Sequence, residues 1–353
     1  MFEIPFEIPE TLLVIVEALL KSVVFFFYLL TTAAIGVWME RRVAAVAQDR
    51  IGPNRTGPFG LLQPFADVFK LFFKEDFVPN NADKFMHSIA PIISVTVAAL
   101  LYTVVPMAHY IEIGGRIFYI GIAPNINIGI LFVLAMTSVG VYGITLAGWA
   151  SNSKYSLLGG LRSSAQMISY ELSMGMAIVG VVMVSGSFGV NDIILSQSGW
   201  QWNILFQPIG FLIYFIAVLA ETNRTPFDFA EAEQELVAGF NTEYSSMRFG
   251  MFFLSEYANV ATSSMLISIL FFGGWQLPFP QEWLGLEDGS ILLALAQIVS
   301  ILAKTIFFVF VIIWIRWTVP RFRYDQLMRL GWHILIPLAL LNLVVTACII
   351  YFM

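Results

Sequence analysis

I-L-L-A-L-A-Q-I-V-S-I-L-A-K-T-I-F-F-V-F-V-I-I-W-I, residues 291–315, is an apolar run broken by a single charge, Lys304. At about 1.5 Å of rise per residue, a helix of this length crosses the ~30 Å hydrocarbon core of a bilayer. A water-facing helix would carry a broad polar face, and this run has only Gln297, Ser300, Lys304 and Thr305 as polar residues. Working outward, seven comparable runs place further expected spans at about 12–37, 86–107, 126–147, 166–187, 203–220, 250–272 and 332–352. The composition agrees: 58% of the 353 residues are hydrophobic and 12% charged, against roughly 45–50% and 25% in soluble domains. That much apolar surface cannot be hidden from water, so lipid is one of the solvents. The expected fold is an all-α polytopic membrane protein forming one membrane domain over residues 1–353, with eight spanning helices and additional amphipathic helices. The first run is too long for a signal peptide and carries Glu17 and Lys21, an i,i+4 pair, so it reads as a mature helix.

Charge sets the direction. Of the eighteen Lys and Arg residues, Lys21 and Lys304 fall inside spans and only Arg116 falls in an even-numbered loop; the others occupy the odd-numbered loops. The positive-inside rule makes those loops cytoplasmic and both termini periplasmic. The single Cys348 excludes an internal disulfide and any cluster or zinc site built on cysteines of this chain. His87, His109 and His333 are scattered, so no metal site is expected. Neither a P-loop nor a G-x-G-x-x-G occurs, and a net charge of −6 argues against nucleic acid. No internal repeat supports an inverted-repeat transporter.

The first cytoplasmic loop holds a second helical pattern. Leu61, Leu62, Phe65, Val68, Phe69 and Phe72 recur at helical spacing over residues 61–74, with Gln63, Asp67, Lys70 and Lys74 mainly opposite and Pro64 suited to a first turn. Such a helix lies in the headgroup plane. It also fits as a lintel above an opening through which a lipid-soluble molecule passes.

The acids stand in unusual places. Glu221, Asp228, Glu231, Glu233, Glu235 and Glu243 crowd the loop 221–249 on the side that otherwise carries positive charge. Asp228 and Glu231 have the spacing of a capping box, with Gly239 as the expected C-terminal cap. Glu231 and Glu235 share one helical face, where like charge opposes ionisation of both. Glu171 and Glu256 are expected roughly 10 Å inside their spans, where an ionised carboxylate is costly unless it pairs or lines water. Gly175, one turn from Glu171, leaves room for water, and Lys304 is a candidate counter-charge. Carboxylates converging on one level from three helices read as a hydrated, protonatable chain.

Four blocks then carry a resemblance: E-R-R-V-A-A-V-A-Q-D-R-I-G-P-N-R-T-G-P-F-G-L-L-Q-P-F-A-D (40–67), G-W-A-S-N-S-K-Y-S-L-L-G-G-L-R-S-S-A-Q-M-I-S-Y-E (148–171), A-E-T-N-R-T-P-F-D-F-A-E-A-E-Q-E-L-V-A-G-F-N-T-E-Y-S (220–245) and P-R-F-R-Y-D-Q-L-M-R-L-G-W (320–332). Together they resemble the H-type subunit family of bacterial respiratory complex I, the proton-translocating NADH:quinone oxidoreductase. That family is the bacterial counterpart of the first mitochondrially encoded core subunit. The resemblance implies a heel-like inner-membrane subunit in which helices 1, 6 and 7 and the amphipathic helix frame a quinone chamber. By the same resemblance, quinone-side residues are Arg41, Gln48, Arg50, Phe65, Asp67, Arg224, Phe240, Arg316 and Arg321. Asp228, Glu231, Glu233 and Glu235 lead inward to Glu221, Glu171 and Glu256, with Tyr170 as a neighbour of Glu171. Implied partners are the peripheral D and B subunits at the quinone site, the I-type iron–sulfur subunit, the membrane A, J and K subunits, the antiporter-like subunits, quinone and lipid. FMN and the iron–sulfur clusters would belong to partners, and quinone would be substrate. Ala230 departs from the Pro common in the family, which bears on the rigidity of that loop. A homologous subunit of a ferredoxin- or hydrogenase-linked complex, a stand-alone transporter and a structural anchor are the other readings.

Overall fold

The computed structural model describes residues 10–113, 115–199, 201–229, 233–279, 285 and 287–352. Helices dominate. α1 (Glu10–Ala47), the amphipathic α2 (Gln63–Phe73) and α3 (Lys84–Tyr102) come first. A small antiparallel hairpin follows, β1 (Tyr110–Ile113) and β2 (Arg116–Tyr119), with Ile113 opposite Arg116. Then come α4 (Gly129–Ala150), α5 (Lys154–Ser185), α6 (Val190–Ser196), α7 (Asn203–Phe206), α8 (Pro208–Glu221) and α9 (Glu233–Leu236). α10 (Ser246–Phe271), α11 (Ile291–Thr318), α12 (Tyr324–Arg329) and α13 (Ile336–Phe352) complete the chain. The hairpin was not foreseen, because its four-residue strands lie between two spans and carry no long alternation.

Among the described residues, six helices are long and apolar enough to cross a membrane: Ile15–Ala47, Lys84–Tyr102, Gly129–Ala150, Lys154–Ser185, Ile291–Thr318 and Tyr324–Phe352. The two other expected spans depart from that pattern for different reasons. The run at 203–220 is broken at Gln207 between α7 and α8, because Pro208 cannot donate a helical hydrogen bond. Gln207 fills the break, donating from Nε2 to the Gly180 carbonyl (2.9 Å) and Thr346 Oγ1 (3.0 Å). α8 alone is 14 residues, about 21 Å. α10 is long, 26 residues, but rich in serine and threonine. Every residue from Val260 to Phe271 is buried. A helix enclosed by protein all round needs no lipid-compatible surface, and its hydroxyls bond their own backbone, as Ser264 does with the Val260 carbonyl (2.7 Å).

Helix ends also moved. α1 runs past 37 to Ala47, since E-R-R-V-A-A-V-A contains no breaker before Gly52 and Pro53. Glu40, Arg41 and Arg42 are therefore helical. α5 begins at Lys154 rather than 166, and its Gly159 and Gly160 are demanded by close backbone approach. A Cβ on Gly159 would stand 2.7 Å from Gly239 Cα. α2 matches the amphipathic reading, with Pro64 in its first turn and Phe65, Val68, Phe69 and Phe72 exposed on one face. The last span is one run of helix with a π-helical segment at Leu330–Leu335. Glu17 and Lys21 form the expected pair, 2.6 Å apart.

Candidate functional site

α10 is a partition between two cavities. Residues 256, 259 and 263 recur at i, i+3 and i+7, so Glu256, Asn259 and Ser263 share one face; Tyr257, Val260 and Ala261 point to another. The second face, with α1 and α11, encloses an apolar cavity of about 260 Å³. Its walls include Ile35, Val309 and Ile312, and one end is closed by Glu40, Arg224 and Arg316. The first face, with α3, α4, α5 and α8, encloses a smaller space, about 70 Å³ of room for water centres, bordered by Glu221, Asn223, Asn241 and Glu256. One water needs roughly 10–15 Å³ on that measure, so the space accommodates several.

The charges at the closed end form a neutral set of two acids and two guanidiniums. Glu40 Oε2 accepts from Arg224 Nη1 (3.1 Å) and from the Tyr257 hydroxyl (2.7 Å), while Glu40 Oε1 accepts from Arg316 Nη1. Arg224 Nε faces Glu256 Oε1 at 3.0 Å, and the guanidinium stacks 4.5 Å from the centre of the Tyr257 ring. Burial opposes the charge on Arg224, but Glu256 and Glu40 outweigh it and hold its pKa above the ordinary arginine value. Arg224 borders the apolar cavity and Glu256 the polar one, so this single ion pair spans the partition. Arg224 Nη2 is buried with no hydrogen-bond partner among the described residues, leaving one charged donor in reserve beside the apolar cavity.

The turn carrying Arg224 is held from α5. Buried Gln166 donates from Nε2 to the carbonyls of Ala220 and Phe227, both at 2.7 Å, and so fixes both ends of the segment containing Glu221 and Arg224. The following loop is zipped to the chain after α11: Arg321 Nη2 bonds Asp228 Oδ2 (2.7 Å), and the Phe322 amide donates to the Pro226 carbonyl (3.3 Å). Glu171 accepts a short hydrogen bond from Ser138 of α4. One turn on, a Cβ on Gly175 would meet nothing within 4 Å.

Other expected residues fall outside this constellation. Arg41 Nη2 pairs with Asp67 Oδ2 (2.7 Å), tying α1 to α2. Arg50 Nε donates to Gln48 Oε1 (2.8 Å) on the exposed surface, and Phe65 is exposed on α2. Phe240 is buried but lines the polar cavity, packed edge-on against Phe252, rather than the apolar one. Glu235 pairs with Arg162 at 2.7 Å with its side chain 53% exposed, a surface contact outside the buried set. Glu233 opens α9, its side chain outside the described residues, and Glu231 lies outside them altogether. Asp228 serves Arg321, and Val237 takes the left-handed conformation directly after α9 (φ 66°), with Gly239 left-handed two residues further on (φ 55°).

Two expectations are corrected. Lys304 is not a counter-charge for an acid: its Nζ donates to the carbonyls of Phe272, Gly274 and Gln276 at 2.7–2.8 Å, which uses all three ammonium protons. It caps the end of α10, where a cation suits the helix dipole. Tyr170 does not bond Glu171: adjacent helical residues face apart, and its hydroxyl donates to the Leu327 carbonyl (3.0 Å). Sequence reasoning missed Glu40, Tyr257 and Gln166. Glu40 was hidden because the first span was closed at 37, which left it a loop residue beside two arginines.

An apolar cavity closed by a buried ion network, set among helices long and apolar enough to cross a membrane, marks a multi-pass membrane protein with an enclosed charged centre. The chain matches the NADH dehydrogenase family over residues 20–347. It is 53% identical to a subunit, numbered 8, of the NADH-quinone oxidoreductase of Rhodothermus marinus, over 90% of this chain and 92% of that one. It is 50% identical to the NADH-quinone oxidoreductase H subunit of Salinibacter ruber (90% and 91%), and 49% identical to an H subunit of Koribacter versatilis (94% and 96%). The chain belongs to the NADH dehydrogenase family, in the H-type branch that its four sequence blocks resemble. Its relatives are subunits of an enzyme, and the chain is a subunit of that class.

Proposed function

We propose that this chain is the inner-membrane subunit of a bacterial proton-pumping NADH:quinone oxidoreductase that holds part of the quinone chamber and couples quinone reduction to proton movement. It crosses the bilayer eight times, with α8 and α10 as the two inward spans and both termini periplasmic. The peripheral D and B subunits, beside the I-type iron–sulfur subunit, complete the headgroup end; the A, J and K subunits and the antiporter-like subunits flank it in the membrane. FMN and the iron–sulfur clusters belong to those partners. The carrying observation is the Arg224–Glu256 pair, which borders the apolar cavity through one member and the polar cavity through the other.

The mechanism follows from charge balance. An isoprenoid tail suits the walls contributed by α1, α10 and α11, with α2 as the lintel and Phe65 on its apolar face. Arg224 and Arg316 stay charged in a partly dry cavity and can hydrogen-bond a quinone oxygen. Quinone that accepts two electrons from a partner's cluster also takes up two protons. A change of charge there pulls on Arg224, weakens its hold on Glu256, and favours protonation of Glu256 from the polar cavity. Glu221 and then Glu171 extend the path toward the flanking subunits, while Asp228 and Arg321 set the loop's position. Arg41 with Asp67, and Gln48 with Arg50, face the peripheral subunits. The test uses the assembled complex in its native membrane. Glu221→Gln and Glu256→Gln each lower NADH-linked quinone turnover or its proton uptake at least tenfold, about 1.4 kcal/mol. Normal pumping in both sinks the reading.

A further inference from the structure

The end of α2 and the starts of α3 and α10 meet at a buried histidine that lines neither cavity. His87, one turn into α3, is 0% exposed and stacks face to face on Tyr244, with ring centres 3.9 Å apart and planes 7° from parallel. Its Nδ1 lies 3.2 Å from Arg248 Nη1, and Arg248 Nη2 lies 3.3 Å from Asp76 Oδ2 in the chain that follows α2. Two serines fasten the same corner: Ser245 Oγ donates to the Glu75 carbonyl (2.8 Å) and Ser246 Oγ to the Leu71 carbonyl (3.0 Å). Ser246 is left-handed (φ 54°), a conformation kept only where the surroundings fix it. The two helices come so close that a Cβ on Gly250 would stand 3.1 Å from Leu71 Cδ1.

Arg248 sits in the first turn of α10, where the helix dipole disfavours a cation. Its two partners account for its place. A guanidinium only donates, so His87 Nδ1 is the acceptor, and the imidazole is neutral with its hydrogen on Nε2. A proton on Nδ1 would take the lone pair that Arg248 uses and set two cations side by side. The other charged or titratable groups around the ring do not replace that contact. Asp76 lies on the far side of Arg248, and Tyr244 and the half-buried Glu243 come from the segment before α10. On the first turn of α3, Lys84 is exposed, and Asp83 accepts from the amides of Phe85 (3.0 Å) and Met86 (3.2 Å). α4, packed along α3, carries no charged residue. The His87–Arg248 contact therefore lasts only while the ring is neutral.

We propose that neutral His87 is the pin of a joint that fixes the end of α2 to the start of α10, and that protonation of His87 releases the joint and loosens the rim of the quinone opening. The joint deepens the function proposed above and rests on it, since α2 is the lintel there. His87 acts through Arg248 and Asp76 and touches no quinone, so it is a positioning residue. The sign follows from the neutral ring: the joint is closed at neutral and alkaline pH and is lost as pH falls through the histidine range.

The test compares wild type, His87→Asn and His87→Phe in membranes holding the assembled complex, with a long-tailed ubiquinone. Each is measured at about pH 7.5 and about pH 5.5, either side of the ordinary histidine value near 6.5. Asn places its Oδ1 where Nδ1 stood and takes up no proton; Phe keeps the stacking on Tyr244 and offers no acceptor. The joint predicts that wild-type KM rises about fivefold at the lower pH, roughly 1 kcal/mol. His87→Asn keeps the low KM at both values, and His87→Phe has the raised KM at both. The kcat of the three stays within about twofold at each pH. A packing role for the ring gives the opposite order, with Phe normal and Asn impaired, and overturns the joint. So does an acid rise in His87→Asn equal to that of wild type. Wild type decides even where neither variant assembles, because a KM equal at the two pH values overturns the joint. The failure of the underlying reading is distinct: there, Glu221→Gln and Glu256→Gln pump normally, whatever the His87 variants do.

Discussion

The two cavities lie on opposite faces of one helix, yet they differ in room and in the polar groups on their walls. The apolar one is several times roomier, and its charged lining residues, Glu40, Arg224 and Arg316, gather at its closed end. The polar one is narrow and bordered by two carboxylates and several amide and hydroxyl side chains. Depth in the bundle cannot be the cause, since α10 contributes to both. The difference is written in the i, i+3, i+7 register of α10, which sends Glu256, Asn259 and Ser263 one way and Tyr257, Val260 and Ala261 another. A helix so divided must be enclosed on all sides, which is why its hydropathy alone does not mark it as a span.

The largest test removes the common acceptor at the closed end of the apolar cavity. Glu40→Ala leaves Arg224 and Arg316 without their common acceptor, and breaking a buried ion pair from one side costs about 3–5 kcal/mol. The expected result, read on a native gel and by thermal unfolding of the complex, is loss of assembly or of all quinone turnover. An active Glu40→Ala complex of normal stability would break the comparison, because the closed end would then not depend on the network. Ala261→Phe acts on the apolar side alone. Filling that cavity should raise KM for a long-tailed quinone about tenfold, equivalent to about 1.4 kcal/mol, with the protons moved per electron unchanged. Ser263→Val acts on the polar side alone. It should leave KM unchanged and lower the protons moved per electron, since an apolar lining holds water less well. Equal effects of the two substitutions on both quantities would mean that the cavities do not work separately.

What the sequence disclosed follows the same division. Glu256 was legible because charge inside an apolar run is costly and therefore conspicuous, whereas Arg224 and Arg316, placed in loops, came only through the family resemblance. α2 was legible because its one-sided pattern survives in a short segment. Glu40 was not: an acid beside Arg41 and Arg42 reads as a loop until the helix is known to continue to Ala47. Tyr257 was invisible for another reason. Aromatic residues are 15% of this chain, and nothing in their spacing tells which hydroxyl meets a carboxylate across 217 positions of sequence. Lys304 was misread because a buried lysine suggests a carboxylate partner, whereas the end of α10 supplied three carbonyls instead.

The smallest expected effect sets the buried network against the surface. Arg162 and Glu235 are as close as Arg321 and Asp228, 2.7 Å in both cases. Their surroundings differ: the Glu235 side chain is 53% exposed and that of Asp228 is 9%. Water competes for the first pair and salt screens it, so Glu235→Gln should cost about 0.2–1 kcal/mol. Turnover should stay within about twofold, well under the tenfold worth 1.4 kcal/mol. Asp228→Asn leaves Arg321 facing a neutral amide in a drier place and should cost more, about 1.5–3 kcal/mol for a charged hydrogen bond. The two variants are compared by thermal unfolding of the complex at low and high salt. Only the Arg162–Glu235 contribution should shrink as salt rises, since the Debye length falls to about 3 Å at 1 M. If Glu235→Gln instead stops quinone turnover without loss of stability, Glu235 belongs to the proton path after all, and the boundary of that path moves from Glu221 out to the cytoplasmic surface.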